Sequence, residues 1–179
     1  GNKYDVSKNR NSNLALNLSS SGNAIELWYK LDQSFGSPID QSGQTIFEAW
    51  NGEEGTSKGL VTLYGYGVQN TAADNGFLRL RIQSGSAVDT FKLGNVSILN
   101  TIREGDWNHL AVSYQDQTAS LYFNGALNTT DTTTSSLGDV GGAIRANIGG
   151  FVSGSIGAGK LIGSVDEFRF WKTVRTGRD

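Results

Sequence analysis

Apolar and polar residues alternate along most of the chain with a period of two residues, and this pattern restricts the folds that it can adopt. The alternation is clear in the runs 14–19, 24–31, 61–66, 78–83, 109–114 and 120–123. Successive side chains of a β-strand point to opposite faces of the sheet, so each such strand has one apolar and one polar face. No long segment shows the 3.6-residue period of an amphipathic helix. The sequence therefore predicts an all-β protein of antiparallel strands.

Turn sequences separate these runs. Asn124-Gly125 lies between two of them and predicts a type I′ hairpin turn, in which both central residues need a positive φ. Roughly ten to thirteen short strands result, which is too many for one open sheet, so we expect two packed sheets.

The length of 179 residues favours one domain over residues 1–179. Because the chain contains no methionine, we expect Gly1 to be a processed end and the domain to belong to a larger parent protein.

The composition excludes several classes of function. The chain has no cysteine and one histidine, so it has neither thiol chemistry nor a site with several histidine ligands. Its 15 basic and 17 acidic residues give a net charge of −2, which argues against nucleic acid as a partner. No apolar run approaches the roughly 20 residues of a membrane-spanning helix, so no membrane insertion is expected.

Three segments together carry a family resemblance: AIELWYKLD at 24–32, GDWNHLAVSYQDQTASLYFNGAL at 105–127 and GSVDEFRFWKTVRT at 163–176. Their order and spacing resemble the laminin G-like domains of the concanavalin A-like lectin/glucanase superfamily, and YDVSKN at 4–9 resembles the first strand of such domains. The resemblance implies a jelly-roll β-sandwich of two curved antiparallel sheets. The last segment also resembles modules of bacteriophage structural proteins. The superfamily includes lectins, adhesion modules and glycoside hydrolases, so the fold does not decide the function.

Catalytic motifs are incomplete in this chain. The resemblance implies that a hydrolase would carry Glu-x-Asp-x-Glu or Glu-x-Asp-x-x-Glu, because glycoside hydrolysis needs two carboxyl groups. Only Glu104-Gly105-Asp106 comes near this pattern, and Asn108 and His109 stand where the second glutamate would be. The stretch 55–59 matches G-x-S-x-G, but a strand follows where a nucleophile elbow needs a helix. We therefore predict that the protein is not an enzyme.

The single histidine has two interpretations. The alternation places His109 on the wetter face of its strand, opposite in direction to Leu110 and Val112. A structural imidazole that is hydrogen-bonded across strands is the favoured interpretation, and a hydrogen bond to a ligand is the alternative.

A calcium site is a further hypothesis. Asp166 alternates in phase with Phe168 and Phe170, so it points inward if the phenylalanines face the core. A buried carboxylate must be paired or hydrogen-bonded. It either caps backbone N–H groups of a loop, which is the favoured interpretation, or binds Ca²⁺ together with loop oxygens. Asp74 and Asn75 are another candidate group of oxygen ligands. Calcium binding is common among laminin G-like and lectin relatives, so the resemblance implies it as well.

Outward aromatic and arginine side chains predict a carbohydrate site. A sugar ring presents an apolar C–H face and several hydroxyls, which suit an aromatic platform and the fixed donors of arginine. The alternation assigns the tyrosines and arginines to outward faces. Trp28 and Trp50 extend the platform if Trp50 also points outward, which the run 46–50 does not settle. The predicted carbohydrate-binding residues are Tyr64, Tyr66, Arg79, Arg81 and Trp50. The alternative is an aromatic patch covered by a loop or by the parent protein, or a cross-strand ladder of Tyr and Arg.

These observations lead to one functional prediction with two alternatives. We expect a non-catalytic adhesion module that binds a glycan or another host or cell-surface ligand, located outside the cell, on the cell surface or on a virion. The first alternative is a structural or protein–protein interaction module of an assembly such as a phage tail or capsid appendage. A glycoside hydrolase comes third.

Overall fold

The computed structural model describes residues 14, 16–32, 43–65, 77–94, 105–140, 144–150 and 159–175. One short 3₁₀ helix (Gly55–Ser57) lies in this part of the chain, together with eleven strands. The strands are β1 (Asn23–Leu31), β2 (Gln44–Trp50), β3 (Gly59–Gly65), β4 (Leu78–Ser84), β5 (Ala87–Leu93), β6 (Trp107–Gln115), β7 (Thr118–Phe123), β8 (Ala126–Thr132), β9 (Arg145–Ile148), β10 (Gly159–Lys160) and β11 (Gly163–Trp171). The prediction of an all-β protein is confirmed.

Two sheets form a jelly-roll β-sandwich. The five-stranded sheet has the order β11-β1-β6-β7-β8, and the six-stranded sheet has the order β10-β2-β3-β4-β5 with β9 also paired to β2. Every strand pairing in the described residues is antiparallel except that of the two-residue β10 with β2. The first and last described strands lie side by side in the five-stranded sheet, because β1 pairs with β11.

The hairpin turns follow the predicted chemistry. Asn124 and Gly125 have φ values of 49° and 82° and connect β7 to β8. Asp116 and Gln117 have φ values of 46° and 65° and connect β6 to β7 in the same way. Two successive positive φ values match the right-handed twist of the flanking strands. The hairpin that Asn124-Gly125 predicts is therefore present.

The core is formed by the alternating apolar residues of both sheets. Phe47 of β2 is fully buried, and its ring lies 5.1 Å from that of Phe168 and 5.8 Å from that of Phe170, both in β11. Phe91 of β5 packs edge-on against Tyr114 of β6 at 5.4 Å. These contacts join the two sheets across the interior, which is where burial of apolar area stabilises the fold.

Polar side chains connect β5 of one sheet to β8 of the other at the edge of the sandwich. Asp131 accepts a hydrogen bond from the Lys92 backbone N–H at 2.8 Å, and the Thr129 hydroxyl accepts one from the Gly94 N–H at 3.1 Å. Asp89 accepts hydrogen bonds from the hydroxyls of Thr133 and Ser135. Asp131 and Thr129 thereby occupy amide groups at the edge of β5 and just after it that could otherwise pair with another chain.

Candidate functional site

Four of the predicted carbohydrate-binding residues lie on one surface, the outer face of the six-stranded sheet. Tyr64 of β3 stands directly opposite Arg79 of β4, and Thr62 stands opposite Arg81. Trp50 lies at the end of β2 on the same face, opposite Leu60. Tyr66, the fifth predicted residue, lies outside the described residues. The structure places Trp50, whose direction the alternation left open, on the same face as the tyrosine and the two arginines.

Exposure on this face differs from what alternation alone suggests. Arg79 is 5% exposed, and its Nη1 donates a hydrogen bond to the Leu78 carbonyl at 3.2 Å. Glu48 and Thr62 are fully buried, and the Thr62 hydroxyl donates to Glu48 Oε2 at 3.0 Å. The centre of the outer face is thus buried and polar, and Arg79 is not the exposed donor that its strand parity predicts.

Arg81 lies on the same face, and its side chain is half-buried. Its Nε atom is buried without a partner, as is the hydroxyl of Thr45 on β2. Leaving a buried donor unsatisfied costs free energy of about 1–3 kcal/mol, and more when it is charged.

Trp50 lies at one end of the outer face, as the last residue of β2. Its indole N–H donates to the Glu53 carbonyl at 3.0 Å, which holds the ring in one orientation. The guanidinium of Arg145, on the neighbouring β9, lies 5.9 Å from the ring centre. Arg145 was missed at the sequence level because β9 reaches β2 only through long-range pairing.

Trp28 does not extend this platform. It lies on β1 in the five-stranded sheet, on the outer face of that sheet and therefore on the opposite side of the sandwich. It is 39% exposed, and Trp107 on the adjacent β6 is 45% exposed. The alternation predicts correctly that the ring points outward, but each sheet has an outward face and the alternation does not distinguish the two.

His109 has the structural role that the sequence favours. Its Nε2 lies 3.2 Å from Glu26 Oε1 on the adjacent strand, and its ring lies 5.2 Å from that of Trp28. Glu26 also accepts hydrogen bonds from Arg169 Nη1 and Trp171 Nε1, each at 3.1 Å. The alternation does not predict Glu26 as the partner of His109, because the register between β1 and β6 cannot be inferred from the sequence of either strand alone.

Glu26 makes the free energy of unfolding depend on pH in the acidic range. Burial alone would raise the pKa of Glu26, but hydrogen bonds from Trp171 and His109 and the charges of His109 and Arg169 outweigh it and hold the pKa below its ordinary value. The resulting stability is present above the unfolded-state pKa and is lost as the pH falls through the folded-state pKa. We expect the free energy of unfolding of the wild type to fall more steeply below about pH 5 than that of Glu26→Gln.

Urea unfolding at neutral pH and at several acidic pH values measures this difference. Glu53→Gln, which removes an exposed carboxyl, serves as the control and should follow the wild type. Identical pH profiles for wild type and Glu26→Gln would show that the cluster around Glu26 contributes nothing to acid stability.

The prediction that Asp166 faces the core is wrong. Asp166 is exposed, and its Oδ1 accepts a hydrogen bond from the Glu167 N–H at 2.8 Å. Glu167 has a φ of 48°, and the register of β11 against β1 shifts between Glu26 and Trp28. This β-bulge reverses the alternation, so Phe168 packs on the core while Asp166 lies opposite Trp28 on the outer face.

The calcium hypothesis concerns Asp166, Asp74 and Asn75. The described residues hold no group of three or more His, Asp or Glu side chains that could bind a metal ion. Beside Asp166, the Glu167 carboxylate is already paired with Arg169 at 2.9 Å. Asp74 and Asn75 lie outside the described residues. Calcium binding stays a prediction, which a chelator titration followed by thermal melting would test.

Sequence comparison identifies a family. A family model described as the concanavalin A-like lectin/glucanases superfamily, Laminin_G_3, matches residues 7–179. No curated protein matches the sequence. The part of the chain that the structure describes contains no helix with the length and apolar character needed to cross a bilayer.

Solved structures share the architecture. Domain 4 of AbnA, a GH43 extracellular arabinanase from Geobacillus stearothermophilus in complex with arabinotriose, is 18% identical with a TM-score of 0.57, covering 92% of this chain and 66% of that one. A Ruminococcus gnavus sialidase CBM40 bound to α2,3 sialyllactose is 15% identical with a TM-score of 0.56, covering 89% and 80%. Domains LG4-5 of the mouse laminin α1 chain are 15% identical with a TM-score of 0.57, covering 95% and 42%. Identities this low show a shared fold.

Proposed function

Because the chain belongs to the laminin G-like family of the concanavalin A-like lectin/glucanase superfamily, we propose that it is a non-catalytic, glycan-binding module. The binding surface in this proposal is the outer face of the six-stranded sheet. Tyr64 and Trp50 provide rings for the C–H face of a sugar, and Arg81 donates hydrogen bonds to its oxygens.

The observation that carries this proposal is the half-buried side chain of Arg81, whose Nε atom has no hydrogen-bond partner. Structural arginines normally have their donors satisfied, because an unpaired charged donor in a partly buried position is costly. Arg81 stands on a strand next to Tyr64, so one ligand can contact both side chains. A sugar hydroxyl or carboxylate would accept hydrogen bonds from the exposed part of the Arg81 side chain.

The ligands of structural neighbours support the same class of partner. The arabinanase domain was solved with arabinotriose and the CBM40 module with sialyllactose. The arabinanase is an extracellular protein, and we place this chain outside the cell or on a surface as well.

The residues of the incomplete hydrolase motif support a non-catalytic role. Asp106 is exposed in the turn before β6, and its carbonyl accepts a hydrogen bond from Asn108 Nδ2 at 3.3 Å. His109, at the other position of a second glutamate, is held by Glu26. Glu104 lies outside the described residues. The positions that need a second carboxyl group therefore hold structural side chains.

Substitution of Arg81 tests the site. We expect Arg81→Gln to weaken glycan binding about 10- to 100-fold, because a hydrogen bond to a charged group contributes about 1.5–3 kcal/mol. A glycan array identifies the bound sugars, and isothermal titration calorimetry then measures the affinity of wild type and variant. Arg169→Gln, on the outer face of the other sheet, is the matched control and should bind as the wild type does.

Two results would contradict the proposal. One is a glycan array without any bound sugar. The other is a bound sugar whose affinity is unchanged by Arg81→Gln and by Tyr64→Ala, which would move the site away from this face.

A role as an interaction module in an assembly is the second candidate. Trp28, Trp107 and Leu127 are exposed on the outer face of the five-stranded sheet, at 39%, 45% and 58%. Large exposed apolar side chains on one face are typical of protein contact surfaces. Sedimentation velocity at increasing concentration tests for contact with a second copy of the chain. Association that is lost in Trp28→Ser/Trp107→Ser would favour this role.

A further inference from the structure

The outer face of the five-stranded sheet presents large side chains to the solvent. Its residues alternate with the core residues of β11, β1, β6, β7 and β8. The aromatic and cationic side chains that are half-buried or exposed on this face include Trp28, Lys30, Trp107, His109, Tyr122 and Arg169. Tryptophan, tyrosine and arginine are enriched where proteins contact each other. The composition of this face is therefore typical of a protein interface.

Strand register arranges these side chains in rows that cross the sheet. The first row, from β11 through β1 and β6 to β7, consists of Arg169, Glu26, Ala111 and Tyr122. The second row, from β11 to β6, consists of Asp166, Trp28 and His109. The third row, on β1 and β6, consists of Lys30 and Trp107. Neighbouring strands are about 4.8 Å apart, so the rows fix where each side chain lies on the face.

These rows are complementary to themselves about an axis that runs along the strands, midway between β1 and β6. A two-fold rotation about this axis turns a second copy face to face with the first, and it lays β6 of the second copy over β1 and its β7 over β11. Lys30 then faces Trp107 of the second copy, and Arg169 faces its Tyr122. Trp28 faces its His109, and Glu26 faces its Ala111. Cations thus meet aromatic rings, and no charged side chain of the three rows faces a like charge.

The charges of this face are compatible with a second copy of it. Lys30 and Arg169 lie among the acidic side chains Glu26 and Asp166, so the face carries both signs. The whole chain has a net charge of only −2, so two copies repel each other weakly. Glu26 already accepts hydrogen bonds from Arg169 and Trp171 and contacts His109, so its carboxylate enters the contact paired.

The area of the face is sufficient for a reversible dimer. Five strands at about 4.8 Å give a width of about 24 Å, and strands of this length at about 3.3 Å per residue give a height of about 25 Å. The product is about 600 Å² per copy before the relief of the side chains is counted, which approaches the roughly 800 Å² per partner of a standard interface.

We propose that two copies of this chain associate face to face through the outer surfaces of their five-stranded sheets, with Lys30 over Trp107, Trp28 over His109 and Arg169 over Tyr122 of the second copy. The inference rests on the second candidate role given above, that of an interaction surface, and not on glycan binding. It adds the partner and its orientation. Both six-stranded sheets face outward in this dimer, so the surface around Arg81 stays accessible.

Sedimentation velocity at increasing concentration measures the association. We expect a monomer–dimer equilibrium for the wild type, with a Kd on the order of 10 µM for an interface of this size. Lys30→Glu should weaken it at least about 10-fold, because the symmetry places a carboxylate over an aromatic ring twice in each dimer. Lys92→Glu makes the same change on the outer face of the other sheet and should associate as the wild type does.

Cross-linking tests the orientation. The chain has no cysteine, so Arg169→Cys/Tyr122→Cys introduces its only two thiols. Within one copy these positions are three strands apart, or about 14 Å. In the dimer each position faces the other across packed sheets about 10 Å apart. A bismaleimide with a reach between these distances should give covalent dimers of the double variant, and none of Arg169→Cys or Tyr122→Cys alone, since neither position faces itself.

The outcomes separate this inference from glycan binding. A wild type that stays monomeric at every concentration would overturn the inference and leave the proposed glycan surface intact. Dimers that form equally well in Lys30→Glu, or single-cysteine variants that cross-link as efficiently as the double variant, would overturn it as well. A protein that dimerises in this orientation and binds no glycan would support the inference and contradict the glycan proposal alone.

Discussion

Phe47→Ala is expected to lower the free energy of unfolding by about 3–5 kcal/mol, the range measured when a fully buried phenylalanine is truncated. The Phe47 ring has no solvent exposure and contacts Phe168 and Phe170 across the interior. Its removal leaves a cavity between β2 of one sheet and β11 of the other. The change therefore weakens the contact that holds the two sheets together.

Thermal and urea unfolding measure this effect. For a protein of this size the melting temperature should fall by roughly 6–20 °C, since each kcal/mol corresponds to about 2–4 °C. Trp107→Ala, which removes a larger ring that is 45% exposed, is the control and should have a much smaller effect. Equal losses for the two variants would show that Phe47 does not join the sheets.

Gly22→Ala is expected to cost about 2–5 kcal/mol, because both the backbone conformation and the space at this position require glycine. Gly22 has a φ of +73°. A Cβ atom there would lie 2.5 Å from the Tyr114 carbonyl oxygen and 2.9 Å from Gln115 Cβ. The added methyl group would push the start of β1 away from the end of β6, against which it pairs.

A second variant, Gly125→Ala, separates the cost of the left-handed backbone conformation from the cost of the close contact. Gly125 has a φ of +82°, but no atom lies within 4 Å of where its Cβ would be. It should therefore show only the cost of the left-handed conformation, about 1–2 kcal/mol. Urea midpoints of both variants, measured at an unchanged slope, give the comparison. A Gly22→Ala loss no larger than that of Gly125→Ala would contradict the close approach.

Strand parity predicted the face of a side chain better than its exposure. Arg79 and Arg81 alternate with the same apolar residues and lie on the same face, yet Arg79 is buried and Arg81 is only half-buried. Parity depends on the period of one strand, which the sequence contains. Exposure depends on which other segments approach the face, which no single strand contains.

Strand alternation predicted the wrong face for a residue beside the β-bulge in β11. Asp166 and Phe168 are two residues apart and should share a face, but the positive φ of Glu167 inserts an extra residue into β11. Only glycine, asparagine and aspartate commonly mark such a conformation in a sequence. A glutamate carries no such signal, so the inward position predicted for Asp166 was wrong.

The amino-acid sequence by itself determined the class of fold, the principal hairpin and the family. Each depends on local information, namely the period of two, the φ preference of Asn124-Gly125 and contiguous motifs such as residues 105–127. Only the tertiary structure decided that Trp28 lies on the side of the sandwich opposite Tyr64, that Glu26 holds His109, and that Arg145 and Lys160 join Arg81 on one face. Those relations arise from pairing between strands that are distant in the chain, and the register of such pairing is set by the packing of the two sheets as a whole.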